Sequence, residues 1–157
     1  MAKYKAVDIA KWFLYKSLRE KEQGDGDNIT LLKLLKLLYY AEGCSLAVGN
    51  GSLFDEDIIA WEHGPVVVEV YQQYCRDPYN LPFDENKDKE SIKKITPTDE
   101  NLLNQVYEIF GQYSAWGLRE KTHRERPWLE ATENGTVLKK KISRDTMKEY
   151  FKENYVE

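Results

Sequence analysis

The run from Thr30 to Ala41, T-L-L-K-L-L-K-L-L-Y-Y-A, constrains this chain more than any other stretch. Its only charges are Lys33 and Lys36, which fall on one narrow helical stripe that Tyr40 and Gly43/Cys44 continue. The rest of the circumference is Leu, Tyr and Ala. A helix that is apolar on nearly all sides must be surrounded by other elements, so the run predicts a central core helix. A coiled coil is the rival, but the pattern lasts barely two heptads. Thr30 can cap the helix through its hydroxyl. Lys33, Lys36 and Tyr40 make its one polar strip, and they are the first candidates for a surface that meets a partner.

The flanking segments read as further layers around that helix. Ala6 to Lys21 carries apolar residues at helical spacing and ends in the polar, Gly-containing run Glu22 to Asn28, expected to be a flexible loop. Gly49-Asn50-Gly51 marks a turn, and Ile58 to Trp61 predicts a short strand. Gly64-Pro65 reads as a helix entry, with Val66, Val67, Val70, Tyr71 and Tyr74 on one face, although the valine run also fits a strand. Asp77 to Lys94 reads as an irregular connection, with Ile92 to Ile95 as a second short strand. Thr96-Pro97-Thr98-Asp99 is a helix start, and Leu102, Leu103, Val106, Tyr107, Phe110 and Tyr113 predict its buried face. Ser114 opens a short helix, Pro127 another turn of helix, Ile142 a third strand position, and Ser143 a last helix with Met147, Tyr150, Phe151 and Tyr155 inward. The expected fold is mainly α: one compact domain over 1–157, about six helices around the central apolar helix, with a small short-stranded sheet.

Composition narrows the function class. In 157 residues, 41% are hydrophobic and 13% aromatic, with 11 Tyr and 4 Trp, enough for a real core and against wholesale disorder. A net charge of −4 argues against broad phosphate-backbone binding. No stretch has the length of a membrane span, and no signal-peptide pattern opens the chain. With Cys44 and Cys75 far apart, a cytoplasmic protein with two free thiols is the simplest expectation.

No catalytic or metal-binding constellation stands out. Cys44, Cys75, His63 and His123 lack the close spacing that pre-organises a zinc site, and no cofactor motif appears. Packing accounts better than thiol catalysis for both cysteines. His63, directly before Gly64-Pro65, is expected to fix a turn through backbone contacts. His123 lies in T-H-R-E-R-P-W, a polar loop pinned by Trp128, where Glu125 is the nearest carboxylate for acid–base work. Lys139-Lys140-Lys141 is the only basic run and reads as a solvated edge, because no aromatic interleaving accompanies it.

Three motifs in series say more than any of these residues singly. They are K-L-L-Y-Y-A at Lys36 to Ala41; Leu53-Phe54 with A-W-E-H-G-P-V at Ala60 to Val66 and Val70-Tyr71; and S-A-x-x-L at Ser114 to Leu118 with T-H-x-E-x-P-W-x-x-A at Thr122 to Ala131. In this order and spacing the chain resembles the Panacea domain, the family of SocA-like and phage-associated GepA-like proteins. The resemblance runs from the first helix to the last. It implies an antitoxin encoded in a two-gene operon, often on a prophage, which neutralises its neighbouring toxin protein by direct binding; the toxins paired with the domain across the family are diverse. It implies no catalytic residues and no cofactor. Lys36, Leu37, Tyr39, Tyr40, Trp61, Gly64, Pro65, Val66, Tyr71, His123, Pro127 and Trp128 carry over as motif positions, as scaffold or as partner contacts. Cys44 and Gly117 depart from the family's usual choices of a larger aromatic or histidine and of a helix former. Within the resemblance, a proteolytic adaptor that delivers the toxin to a protease is an alternative. A small enzyme using His123 is the alternative outside it, and a DNA-binding repressor ranks behind both.

Overall fold

The computed structural model describes residues 2–24 and 28–156. The chain order is α1 (Ala6–Glu22), α2 (Leu31–Ala47), β1 (Ile59–Trp61), β2 (Gly64–Val66), α3 (Val68–Tyr74), α4 (Glu85–Lys93), α5 (Pro97–Phe110), α6 (Ala115–Thr122), α7 (Arg126–Ala131), β3 (Lys140–Lys141) and α8 (Arg144–Asn154). The fold is mainly helical with a small antiparallel sheet in the order β2-β1-β3. Of the expected Glu22–Asn28 loop, residues 25–27 lie outside the described residues.

Helix α2 is the hub. The Thr30 hydroxyl accepts from the Lys33 N–H and starts it, and α8, α5, α6, α1, α3 and β2 pack around it. Leu34, Leu37, Leu38, Tyr39, Tyr40 and Ala41 are wholly buried. Gly43 has a packing reason of its own. A Cβ there would stand 2.4 Å from the Phe151 ring, so α8 lies directly on the α2 backbone. Two buried carboxylates fasten the outer elements. Glu42 accepts from the Leu53 N–H at 2.7 Å and from Arg144 Nε at 2.7 Å. Asp99 accepts from Tyr4 Oη at 2.6 Å and Asn50 Nδ2 at 2.7 Å, as well as from Thr96 Oγ1 and Lys3. Burial would raise the Asp99 carboxyl, but hydrogen bonds from Tyr4, Asn50, Lys3 and Thr96 hold it below its ordinary value.

Several sequence expectations change. Gly64-Pro65 does not open a helix. Gly64 takes φ +109° at the hairpin between β1 and β2, and Pro65 pairs with Ala60. Proline is tolerated there because β2 is an edge strand. Helix α3 begins only at Val68. Ile92 lies in a helix, not a strand, because Asp84 caps α4 by accepting from the Asn86 and Lys87 N–H groups. That capped segment is one reason the described residues hold eight helices rather than about six. Tyr113 is exposed rather than inward, and so is Cys75, so packing does not account for that thiol.

Candidate functional site

Many of the motif residues meet where α2, the β1–β2 hairpin and the α6–α7 corner converge. Glu125, the residue before α7, is almost fully buried. Its carboxylate accepts from Tyr39 Oη at 3.0 Å and Tyr40 Oη at 3.2 Å, both on α2. A third hydroxyl, that of Tyr155 at the end of α8, also donates to it. Burial raises the Glu125 carboxyl above its ordinary value, while the tyrosine hydroxyls and the Lys121 charge pull it back. The same burial, with the Glu125 charge, pushes Tyr39 and Tyr40 far above the usual tyrosine range. Around them Tyr40 stacks on Phe110 with ring centres 4.0 Å apart, and Tyr155 meets Phe110 edge-on at 5.2 Å.

His123 closes the same corner on its other side. Its Nδ1 is 2.6 Å from the Arg119 carbonyl and its Nε2 is 2.6 Å from the Glu62 carbonyl. Both neighbours are acceptors, so only a ring carrying both protons donates to each. The ring also lies 4.0 Å from Trp128, whose indole N–H donates to the Trp61 carbonyl at 3.0 Å. The α6–α7 corner therefore grips the β1–β2 hairpin through side chain-to-backbone bonds at consecutive residues, Trp61 and Glu62. Pro127 stands at the start of α7, where its missing N–H leaves no partner wanting.

Lys36 runs beneath this hairpin. It is wholly buried, and its Nζ donates to the Pro65 carbonyl at 3.2 Å. No carboxylate forms an ion pair with it among the described residues. Burial, with the Arg119 charge adding to it, brings its amine down to about 7. The side chain passes so close to Gly64 that a Cβ there would lie 2.5 Å from Lys36 Cε and 2.8 Å from Thr122 Oγ1. Gly64 thus serves both its positive φ and this close approach.

The expected partner strip on α2 is corrected by this packing. Lys36 and Tyr40 are 0% exposed, so Lys33, Lys36 and Tyr40 do not form a polar surface. A helix packed against this many elements buries most of its polar stripe along with its apolar faces. Lys33 is partly buried and donates to the Gly111 carbonyl at 2.6 Å. Of the remaining motif positions, Leu37, Tyr39, Gly64, Pro65, Val66 and Trp128 are buried. Trp61 and His123 are half-buried, and Tyr71 reaches solvent. His63 is exposed, and its Nδ1 accepts from Arg119 Nε at 2.9 Å. That bond is to a side chain, not to the backbone contacts expected of it.

Beside the corner lies an apolar cavity of about 390 Å³, walled by Leu31, Leu32 and Leu35 of α2, by Trp61, His63, Val66 and Tyr71, and by Leu138 and Lys139. Sequence reasoning did not single out this cavity. The available signal was Leu138, a lone large apolar residue in the polar segment between Asn134 and Lys141.

The profile described as "Antitoxin SocA-like, Panacea domain" matches residues 34–129. The chain belongs to this family. The match takes in most of α2, the hairpin, α3 to α6 and the first part of α7. Helices α1 and α8 and strand β3 lie outside it, although α1 and α8 pack on α2. No curated protein and no solved structure matches the chain. Membership of the Panacea family supports an antitoxin role. No helix among the described residues is long and apolar enough to cross a membrane.

Proposed function

We propose that the protein is the antitoxin of a phage-associated toxin–antitoxin pair, neutralising a co-encoded toxin in the cytoplasm by direct protein–protein binding. The chain acts as one Panacea-like unit over 1–157, without a cofactor or a catalytic step of its own. Membership of the SocA-like antitoxin family carries this reading. The use made of the motif's polar groups supports it. Both ring nitrogens of His123 are turned onto backbone carbonyls, and the Glu125 carboxylate is surrounded by three tyrosine hydroxyls. A general acid or base needs a proton site facing a substrate, so this arrangement favours a binding protein over an enzyme using His123.

Co-expression with the adjacent reading frame tests the proposal. Rescue of growth together with a stable co-purifying complex is expected. Failure of both would overturn it. The half-life of the toxin separates binding from delivery to a protease: a bound toxin accumulates in the complex, whereas an adaptor's client disappears.

A further inference from the structure

Resting on that reading, we propose that the cavity between α2, the β1–β2 hairpin and Leu138 is the toxin's docking site. Its occupant is an apolar side chain of the partner protein flanked by carboxylates.

The cavity is open at a rim of side chains that a folded chain ordinarily covers. Leu138 is 43% exposed and Tyr71 36%. Trp116 is 56% exposed and adjoins the cavity through His63, with ring centres 6.2 Å apart. Trp116 is also held in place: the Arg119 guanidinium sits 4.3 Å from its ring centre while Arg119 Nε donates to His63. A large aromatic ring fixed in solvent loses little side-chain freedom when covered, which is how interface anchors work. Leu31, Leu32 and Leu35 of α2 give the cavity an apolar lining.

Charge complementarity identifies the flank. Although the whole chain carries −4, this rim is locally cationic. Lys139 lines the cavity and Lys140 follows it on the exposed edge strand β3. Neither makes an ion pair among the described residues, unlike Lys141, which pairs with Asp57 at 3.1 Å. Lys139 is held in the left-handed region at φ +64°, and its N–H donates to the Ala60 carbonyl at 2.7 Å. Lys36 also lines the cavity, but it is wholly buried and its amine is brought down to about 7, so the exposed positive charge of the rim is that of Lys139 and Lys140. Among the described residues, the only acid on the cavity wall is Glu62. Two lysines beside one apolar cavity suit a protein side chain with an acidic neighbour. A nucleic acid would instead need a basic stripe that tracks successive phosphates.

The test is calorimetric titration of the purified full chain with the adjacent gene's product. Leu138→Asp places a carboxylate at the apolar mouth and is expected to weaken binding at least about tenfold with unchanged circular dichroism. The pair Lys139→Glu/Lys140→Glu is expected to weaken it several-fold and to flatten the salt dependence, as loss of charge steering requires. Ile109→Asp, exposed and away from the cavity wall, leaves affinity unchanged. Full affinity in Leu138→Asp overturns the docking site while leaving the antitoxin reading intact. Affinity that depends neither on salt nor on the lysine pair overturns the acidic flank. A wild-type chain that binds promoter DNA through Lys139 and Lys140, and not the gene product, overturns both the docking site and the antitoxin reading.

Discussion

Two neighbouring regions use the same hairpin in opposite ways. On one side, the corner of α6 and α7 closes on α2 with its polar groups consumed: Glu125 by three tyrosines, His123 by two carbonyls, Trp128 by the Trp61 carbonyl. On the other side, the cavity wall leaves Leu138, Tyr71 and Lys139 facing solvent. Trp61 belongs to both, its carbonyl bonded in the corner and its ring on the cavity wall beside Tyr71, with ring centres 5.0 Å apart. The difference teaches that one family motif can be divided between two uses. Tyr39, Tyr40, His123 and Trp128 close the corner, whereas Trp61, Val66 and Tyr71 line the cavity beside it.

The comparison breaks first if the corner tolerates loss of its carboxylate. Glu125→Ala leaves three tyrosine hydroxyls without their acceptor and is expected to destabilise the fold by about 3–5 kcal/mol in urea unfolding, with Glu125→Gln milder. Equal stability of Glu125→Ala and wild type would remove the corner from the scaffold. Gly64→Ala comes next. The positive φ and the 2.5 Å approach to Lys36 Cε are expected to lower stability by about 2–3 kcal/mol, read as a shift in the denaturation midpoint.

Lys36 gives a smaller effect with a distinctive pH signature. Its folded-state pKa is lowered from 10.5 to about 7. Between those values the unfolded chain binds the proton and the folded chain does not, so this group makes stability rise with pH. The rise is at most about 1.4 kcal/mol per pH unit and is clearest from pH 7 to about 9. Above that the Cys44 thiol, pushed up to about 12 by burial and the Glu125 charge, acts in the opposite sense. Lys36→Met is expected to flatten the rise, and an unchanged pH profile would show that the amine does not titrate in the folded corner. Glu125 contributes with the reverse sign to that of Lys36: its raised pKa gives stability that is present below its ordinary range and lost as pH rises through the folded value. On the open side the smallest stability effect is expected. Leu138→Asp should change unfolding free energy by no more than about 0.5 kcal/mol, because the residue is already exposed. A large loss of stability would mean that the cavity wall is itself part of the core.

Much of the scaffold was legible because its signals are local. Thr30, Thr96, Ser114 and Ser143 each accept a backbone N–H at the start of the helix their position announced. The core status of α2 followed from its apolar circumference. Local pattern failed where pairing with a distant segment won. Gly64-Pro65 looks like a helix start, but Ala60 and Trp61 recruit it into a hairpin. The Lys33–Lys36–Tyr40 strip looks like a surface, but the groups that meet it come from the C-terminal end of α5, the hairpin and the α6–α7 corner.

By itself the sequence determined a central helix, its capped neighbours and the family to which the serial motifs belong. These depend on spacing and residue type over a few turns. Only the tertiary structure decided which polar groups are consumed and which are left over. Tyr39 and Tyr40 meet Glu125 across more than eighty residues, and Leu138 lines the same cavity as Leu35 from a comparable distance along the chain. Burial is a property of what covers a residue, and for these residues the covering chain is far away in sequence.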